Sequence, residues 1–241
     1  MSKVIAVFGA GTGLGASVAR RFGREGFRVA LVARRRPRLD ALVDRLGAEG
    51  VEAAAFTADL SRPAEVPGLI ADIRDRFGRI DVVEYGPVGG GQGFTPAARV
   101  DAALLREYIP LFLLTPVEVV RAVLPEWTGR GDGAFLMTGG TTAVHPAPGL
   151  SGPGPVGAAA RNYLHSLSAE LAPAGIYAGS LVVGAMIARS EMGERITAAG
   201  GGERPPAEIP VVDPDDLADR YWEMYTERDR VELIHPAPEA G

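Results

Sequence analysis

The sequence predicts an α/β fold: one doubly wound, seven-stranded parallel sheet with helices on both faces. Three observations lead there. Short apolar, β-rich runs alternate along the chain with amphipathic stretches long enough to cross over a sheet. The first run, Val4–Phe8, stops at the glycine-rich turn Gly9-Ala10-Gly11-Thr12-Gly13-Leu14-Gly15, and a helical pattern begins there at once. No linker, composition shift or repeat beyond the strand–helix unit divides the 241 residues, so 1–241 reads as a single domain.

Taken in order, Val4–Phe8 is a strand and residues 14 to about 24 a helix. Residues 28–32 form a strand; Leu39, Leu42, Val43 and Leu46 then fall at i, i+3, i+4 and i+7, one apolar helix face. Residues 51–57 read as a strand. Ser61 before Pro63 marks a helix start, and Val66, Leu69, Ile70 and Ile73 continue its stripe. Residues 82–85 are a strand. A long apolar helix runs from 101 to about 127, interrupted by Pro110 and Pro116. Residues 134–138 form a strand, 158–171 a helix and 177–183 a strand. Asp213-Pro214 caps a helix to about Glu227, and 231–234 is the last strand. Two segments, 86–95 and 187–212, lack periodicity. In a parallel sheet both follow strand ends, where ligands bind, and 187–212 is the expected flexible substrate loop or lid.

Hydrophobic residues make up 46% of the chain and charged residues 23%, which supports a large core and not wholesale disorder. The net charge of −5 argues against nucleic acid as the main partner, because phosphate backbones demand a concentrated positive field. The arginines are dispersed apart from Arg34, Arg35 and Arg36. The absence of cysteine excludes disulfides, thiolate catalysis and Cys-based metal sites. His145, His165 and His235 lie far apart without ligand spacing, so no metal is expected. The sequence shows neither a secretory pattern nor an apolar run of membrane length, and a cytoplasmic location is expected.

The turn spaces its glycines at Gly9, Gly13 and Gly15. Glycines permit the tight bend and let backbone N–H groups approach a pyrophosphate at the helix N-terminus. This G-x-x-x-G-x-G spacing resembles the short-chain dehydrogenase/reductase family, whose turn reads T-G-x-x-x-G-[I/L]-G; Phe8 stands at that Thr. The resemblance covers nearly the whole chain and implies a Rossmann-like, nicotinamide-dependent oxidoreductase. It implies that Gly9, Gly11, Thr12, Gly13, Leu14 and Gly15 hold cofactor phosphates. The family's NAD-specific pattern has an acidic residue just after strand two. Here Ala33-Arg34-Arg35 supplies guanidinium groups, suited to bidentate bonding of a 2′-phosphate, with a solvated basic turn as the alternative. NADP(H) is therefore expected over NAD(H). The resemblance further implies Asp59 and Leu60 beside the adenine, Gly86 near the adenosine, and Gly184 and Ile187 against nicotinamide and diphosphate. The helices near 101–127 and 158–171 resemble the family's dimer-forming pair, which implies a homodimer or homotetramer. The expected partner is a small-molecule substrate or ligand, with no nucleic acid and no membrane.

The same resemblance exposes an absence. The family works with a Ser, a Tyr and a Lys four residues after the Tyr, helped by an Asn from the preceding helix. Aligning strand 134–138 and helix 158–171 without insertion puts Gly140 at the Ser, Pro153 at the Tyr, Gly157 at the Lys and Pro110 near the Asn. Sliding the alignment restores nothing: Lys3 is the sole lysine, and no Y-x-x-x-K occurs anywhere. The standard proton transfer is therefore missing. Among the remaining polar groups, His145 and Tyr85 are the catalytic candidates. Histidine is the residue type most often used for acid–base work near neutral pH; Tyr85 either faces the nicotinamide or plugs its pocket. Thr141 and Thr142 are candidates for substrate hydrogen bonding, Glu84 is expected to be buried with a partner or at the cleft edge, and Tyr163 reads as packing. Three readings stay open: an atypical NADP(H)-dependent oxidoreductase, a non-catalytic NADP(H)-binding or regulatory protein, and a non-redox lyase or cyclase on the same fold.

Overall fold

A computed structural model of the chain describes residues 2–88, 93–191 and 210–237. Strands β1 (Val4–Phe8), β2 (Arg28–Ala33), β3 (Ala53–Thr57), β4 (Val82–Tyr85), β5 (Gly133–Gly140), β6 (Ile176–Val183) and β9 (Glu232–His235) pair in parallel. Their order is β3-β2-β1-β4-β5-β6-β9, the expected seven-stranded sheet. A separate parallel pair joins β7 (Met186–Ile187) to β8 (Val211–Val212). The helices are α1 (Leu14–Arg24), α2 (Arg36–Ala48), α3 (Val66–Phe77), α4 (Ala102–Ile109), α5 (Thr115–Arg130), α6 (Gly154–Leu171) and α7 (Pro214–Glu227).

The strands read as continuous apolar runs because both faces of the sheet are covered. Alternation along β1 sends Val4, Ala6 and Phe8 into one layer with α3, α5 and α6. It sends Ile5 and Val7 into the other layer with α1, α2 and α7. The predicted stripe of α2 is buried at Leu39, Leu42 and Leu46, and that of α3 at Val66, Leu69, Ile70 and Ile73. Asp213 caps α7 as expected, accepting the Asp215 N–H at 2.8 Å.

The departures from expectation have local causes. The helix predicted for 101–127 is three pieces, with a π turn at Pro110–Leu114 between α4 and α5. There the Thr115 N–H reaches back five residues to the Pro110 carbonyl. The next carbonyl in that pattern, Leu111, would need an N–H at residue 116, and Pro116 has none. The Tyr85 hydroxyl donates to the Leu111 carbonyl instead. Helix α6 begins at Gly154, not at 158, because proline near a helix start removes only an N–H that has no helical partner. Ser61 does not start α3. Its hydroxyl and N–H donate to Asp59 at 2.7 and 3.0 Å, and a 3-10 turn at Pro63–Glu65 leads into the helix. Strand β3 starts at Ala53, since the Val51 N–H closes the end of α2 on the Leu46 carbonyl at 2.9 Å.

The stretch Ala102–Arg130 also corrects the expectation of no membrane-length run. It spans 29 residues, and a window within it has mean hydropathy 1.5, enough to cross a membrane by length and composition alone. Its apolarity has a core explanation: Val119, Val120, Val123 and Trp127 are buried against the sheet.

Trp127 fixes how α5 meets β5. It is fully buried and donates its indole N–H to the Ile80 carbonyl at 2.9 Å. Its ring lies 2.3 Å from where a Cβ at Gly133 would stand. Gly133→Ala is therefore expected to lower stability by about 1–3 kcal/mol through overpacking. The reading is a lower urea midpoint at constant slope; an unchanged midpoint would show that the indole yields without strain.

Candidate functional site

The strand order reverses between β1 and β4, which makes a crevice outside their carboxyl ends. Gly9 leaves β1 with φ +100°, a conformation glycine adopts without strain. A Cβ there would lie 2.7 Å from the Pro87 backbone, so the exits of β1 and β4 touch. The Gly9 and Ala10 N–H groups both donate to the Val32 carbonyl, at 2.9 and 3.0 Å, which ties the turn to the end of β2. A Cβ at Gly15 would stand 2.8 Å from the Gly9 carbonyl oxygen, so α1 starts hard against the turn. Among the described residues no side chain caps α1. Its first-turn N–H groups thus keep the partial positive charge that suits an anion. At Gly9, Gly13 and Gly15 the chain itself leaves no room for a side chain, so the turn presents backbone N–H groups, the kind of surface that suits a dinucleotide pyrophosphate.

The chain after β6 comes back over this turn. The Gly184 N–H donates to the His235 carbonyl at 2.9 Å, and a Cβ at Gly184 would meet the Thr141 methyl at 2.8 Å. Ile187 lies in β7, paired with Val212. The Thr12 hydroxyl donates to the Arg189 carbonyl at 2.9 Å, and Ser190 Cβ is 3.0 Å from the Cβ position of Gly13. Arg189 reaches Asp213 at 2.5 Å and Asp215 at 2.9 Å. Glu191 pairs with both Arg35 and Arg38. Arg34 is exposed. Asp59 sits below the usual carboxylate range, held there first by the Ser61 hydroxyl and N–H, then by Arg62 and Arg34. Leu60 is buried, and its carbonyl accepts the Thr115 hydroxyl at 2.7 Å, which links the end of β3 to α5. Of the expected lid at 187–212, residues 192–209 lie outside the described residues, as do 89–92 of the segment 86–95.

Gly140 ends β5, Pro153 precedes α6, and Gly157 lies one turn inside it. The Gly157 N–H donates to the Pro153 carbonyl at 2.9 Å, so the two positions share a helix face. None of the three has an ionisable side chain. Among the described residues, a Cβ at Gly140 would meet the Thr142 hydroxyl at 4.0 Å and one at Gly157 the Ala143 Cβ at 3.3 Å. Lys3 stands just before β1, at the opposite edge of the sheet from the crevice. Its Nζ donates to the Tyr225 hydroxyl at 2.9 Å and to Asp132 at 3.3 Å. The Tyr225 hydrogen bond raises its pKa. His145 is exposed beyond the 3-10 turn Thr141–Ala143, with its backbone N–H on the Thr141 carbonyl at 2.7 Å.

Tyr85 departs from the expectation that it faces or plugs the crevice. It lies in the layer of α3, α5 and α6, 2% exposed, with ring centroids 6.0 Å from Phe8 and 6.4 Å from Phe135. Its hydroxyl points to the Leu111 carbonyl, and burial pushes its pKa well up. The pleat of β4 decides this: Tyr85 shares its face with Val83, and Glu84 takes the other.

Glu84 is fully buried in a polar chain that sequence reasoning only half anticipated. Its Oε1 accepts the Thr138 hydroxyl at 3.1 Å, and Thr138 shares a 2.7 Å hydrogen bond with the Tyr221 hydroxyl. Its Oε2 has no partner among the described residues. Gly86 leaves room for this group, since a Cβ there would lie 2.5 Å from Glu84 Oε1 and 2.6 Å from Thr138 Oγ1. Tyr221 escaped notice because it falls on the buried stripe of α7 with Leu217, where its spacing signals packing alone. Desolvation raises the Glu84 pKa from 4.5 to about 8, against a smaller opposing effect of the Thr138 hydroxyl.

The sequence profile of the short chain dehydrogenase family matches residues 3–199. A short chain dehydrogenase of Pseudocercospora fijiensis is 29% identical over 193 residues, 79% of this chain and 61% of that relative. The chain thus spans about three fifths of that protein's length. A putative ketoacyl reductase of Streptomyces coelicolor is 31% identical over 76% of this chain and 70% of its own. The structure is similar to that of an alcohol dehydrogenase from Thermococcus sibiricus complexed with 5-hydroxy-NADP. That likeness has a TM-score of 0.81 and 26% identity, and it covers 100% of both chains.

Two outcomes follow from the β4 residues. Tyr85→Phe leaves the Leu111 carbonyl buried without a donor and is expected to lower stability by about 1–3 kcal/mol. Any activity found in the wild type should persist in this variant, because the hydroxyl faces the core. For Glu84, the unfolded chain releases its proton near pH 4.5 and the folded chain only near pH 8. Folding therefore binds the proton in between, and stability falls as pH rises through that window. Relative to Glu84→Gln, the wild type is expected to lose on the order of 3 kcal/mol between pH 5 and pH 8. Parallel denaturation curves at both pH values would refute a neutral buried acid.

Proposed function

The chain belongs to the short chain dehydrogenase family, and we propose that it is an atypical oxidoreductase that binds NADP(H) in preference to NAD(H). The feature that carries this reading is the crevice itself: a glycine turn with no room for side chains, an uncapped helix start, and Arg34 and Arg35 directly after β2. Guanidinium groups grip a phosphate in a bidentate way, and residues 33–35 include no acid to accept ribose hydroxyls. The Thermococcus sibiricus enzyme, similar over its whole length, is itself complexed with an NADP derivative.

When bound, the nicotinamide supplies the hydride chemistry. In this reading the turn Gly9–Gly15 and the start of α1 hold the pyrophosphate. Arg34 and Arg35 hold the 2′-phosphate. Asp59 and Leu60 flank the adenine, Gly86 keeps the β4 exit low beneath the adenosine, and Gly184 and Ile187 wall the nicotinamide side. Gly140, Pro153 and Gly157, at the family's Ser, Tyr and Lys positions, neither hold nor move a proton. The substrate class that suits such a site needs little help from a protein acid, such as an activated alkene or an imine. Water or His145, at the β5 exit, then delivers the proton.

The same three residues favour a second reading, a nucleotide-binding regulatory protein without turnover. We also propose a homo-oligomer, since α5 and α6 leave an open apolar groove between Val120, Leu124, Tyr163 and Leu167.

NADPH is expected to raise the melting temperature more than NADH at equal concentration, because only the former offers the 2′-phosphate. Equal shifts would remove the preference, and no shift with either would remove the nucleotide. Labelled NADPH is expected to pass deuterium to an enone or imine and not to a simple ketone. Binding without transfer to any of the three favours the regulatory protein, and turnover without nucleotide favours a lyase. The triple variant Gly140→Ser, Pro153→Tyr and Gly157→Lys is expected to gain ketone reduction.

A further inference from the structure

Glu191 lies against the arginines that follow β2. Its Oε1 meets the guanidinium of Arg35, the residue before α2, and that of Arg38, in the first turn of α2. The two arginines come three residues apart, so both reach the same side of the helix start. Their side chains are about half exposed, at 52% and 49%, while that of Glu191 is 22% exposed. The carboxylate is therefore tucked beneath the two guanidinium groups. A carboxylate oxygen stands there in for an oxygen of a phosphate, since both are anions with similar oxygen geometry.

We infer that Glu191 is a built-in competitor for the phosphate of a 2′-phosphorylated nucleotide, and that Arg38 is part of the clamp it occupies. This rests on the nucleotide-binding reading above. Glu191 and such a phosphate claim the same guanidinium N–H groups, so one displaces the other. The chain around Glu191 is fastened by bonds that do not involve those arginines: Thr12 to the Arg189 carbonyl, and Arg189 to Asp213 and Asp215. The carboxylate is thus delivered to the arginines by its neighbours in the chain. A nucleotide without the 2′-phosphate meets the same Arg189–Ser190 segment over Thr12 and Gly13, but it does not contest Arg35 and Arg38. Glu191 therefore narrows the preference that the arginines create, and it sets the margin between the two nucleotide classes.

The test uses 2′,5′-ADP and 5′-AMP as probes, titrated calorimetrically into the full-length wild type and Glu191→Gln at one ionic strength. The glutamine keeps the size of the side chain and removes its charge. Glu191→Gln is expected to bind 2′,5′-ADP about three- to tenfold more tightly, the scale of losing one or two partly exposed ion pairs. Its affinity for 5′-AMP should stay within about twofold. In the Arg38→Gln background the gain from Glu191→Gln is expected to shrink, because the two residues act on one another. Unchanged or weaker 2′,5′-ADP binding overturns the inference, and so does an equal gain for 5′-AMP. If 5′-AMP binds throughout and 2′,5′-ADP gains nothing, only this inference falls. If neither probe binds any variant, the nucleotide-binding reading falls with it.

Discussion

Two parallel strands that leave the sheet side by side must send their chains in different directions from nearly the same point. At the ends of β1 and β4 this is done with no side chain between the backbones. Gly9 takes a left-handed turn against Pro87, and Gly86 passes over the Glu84 and Thr138 side chains. Much of the upper edge depends on that contact. It aims the start of α1 at the crevice, and it keeps the turn low enough for the Arg189–Ser190 segment to rest on Thr12 and Gly13. A methyl group at Gly9 would push apart the two strands around which the sheet reverses.

The chemistry-bearing side chains are distributed unusually around that edge. Tyrosine and lysine do meet in this protein, at Tyr225 and Lys3, but beneath the sheet and not above it. Tyr85 reaches the end of β4 and then turns inward to satisfy a carbonyl that Pro116 leaves without a donor. Tyr221 and Thr138 are committed to a buried acid. Among the described residues, the turn backbone and the arginines after β2 stand at the crevice edge, groups better suited to holding an anion than to moving a proton.

Much of this was legible from the chain. The strands are apolar runs covered on both faces, so their positions follow from local composition, and the glycine turn is likewise a local signal. What was not legible depends on contacts distant in sequence. The π turn is stabilised by Tyr85, 26 residues away from Leu111. The inward direction of Tyr85 follows from the pleat phase of β4, which a strand of four residues, all of them buried, does not reveal. Tyr221 lies 83 residues from Thr138, and Glu191 lies 153 residues from Arg38, in a segment with no periodicity to place it. Arg34 and Arg35 could be read as anion-binding groups; that an anion from the same chain already rests on Arg35 could not.

The position of Lys3 has a practical consequence. It is the only side-chain amine in the protein, and it lies on the sheet edge opposite the crevice, partly exposed and tied to Tyr225 and Asp132. Amine-directed reagents such as biotin esters, fluorophores or surface linkers therefore meet one side-chain amine, away from the crevice. Its raised pKa keeps it charged and slow to react at neutral pH, so alkaline conditions favour its modification. A molecule immobilised through it would hang with the crevice facing the solution.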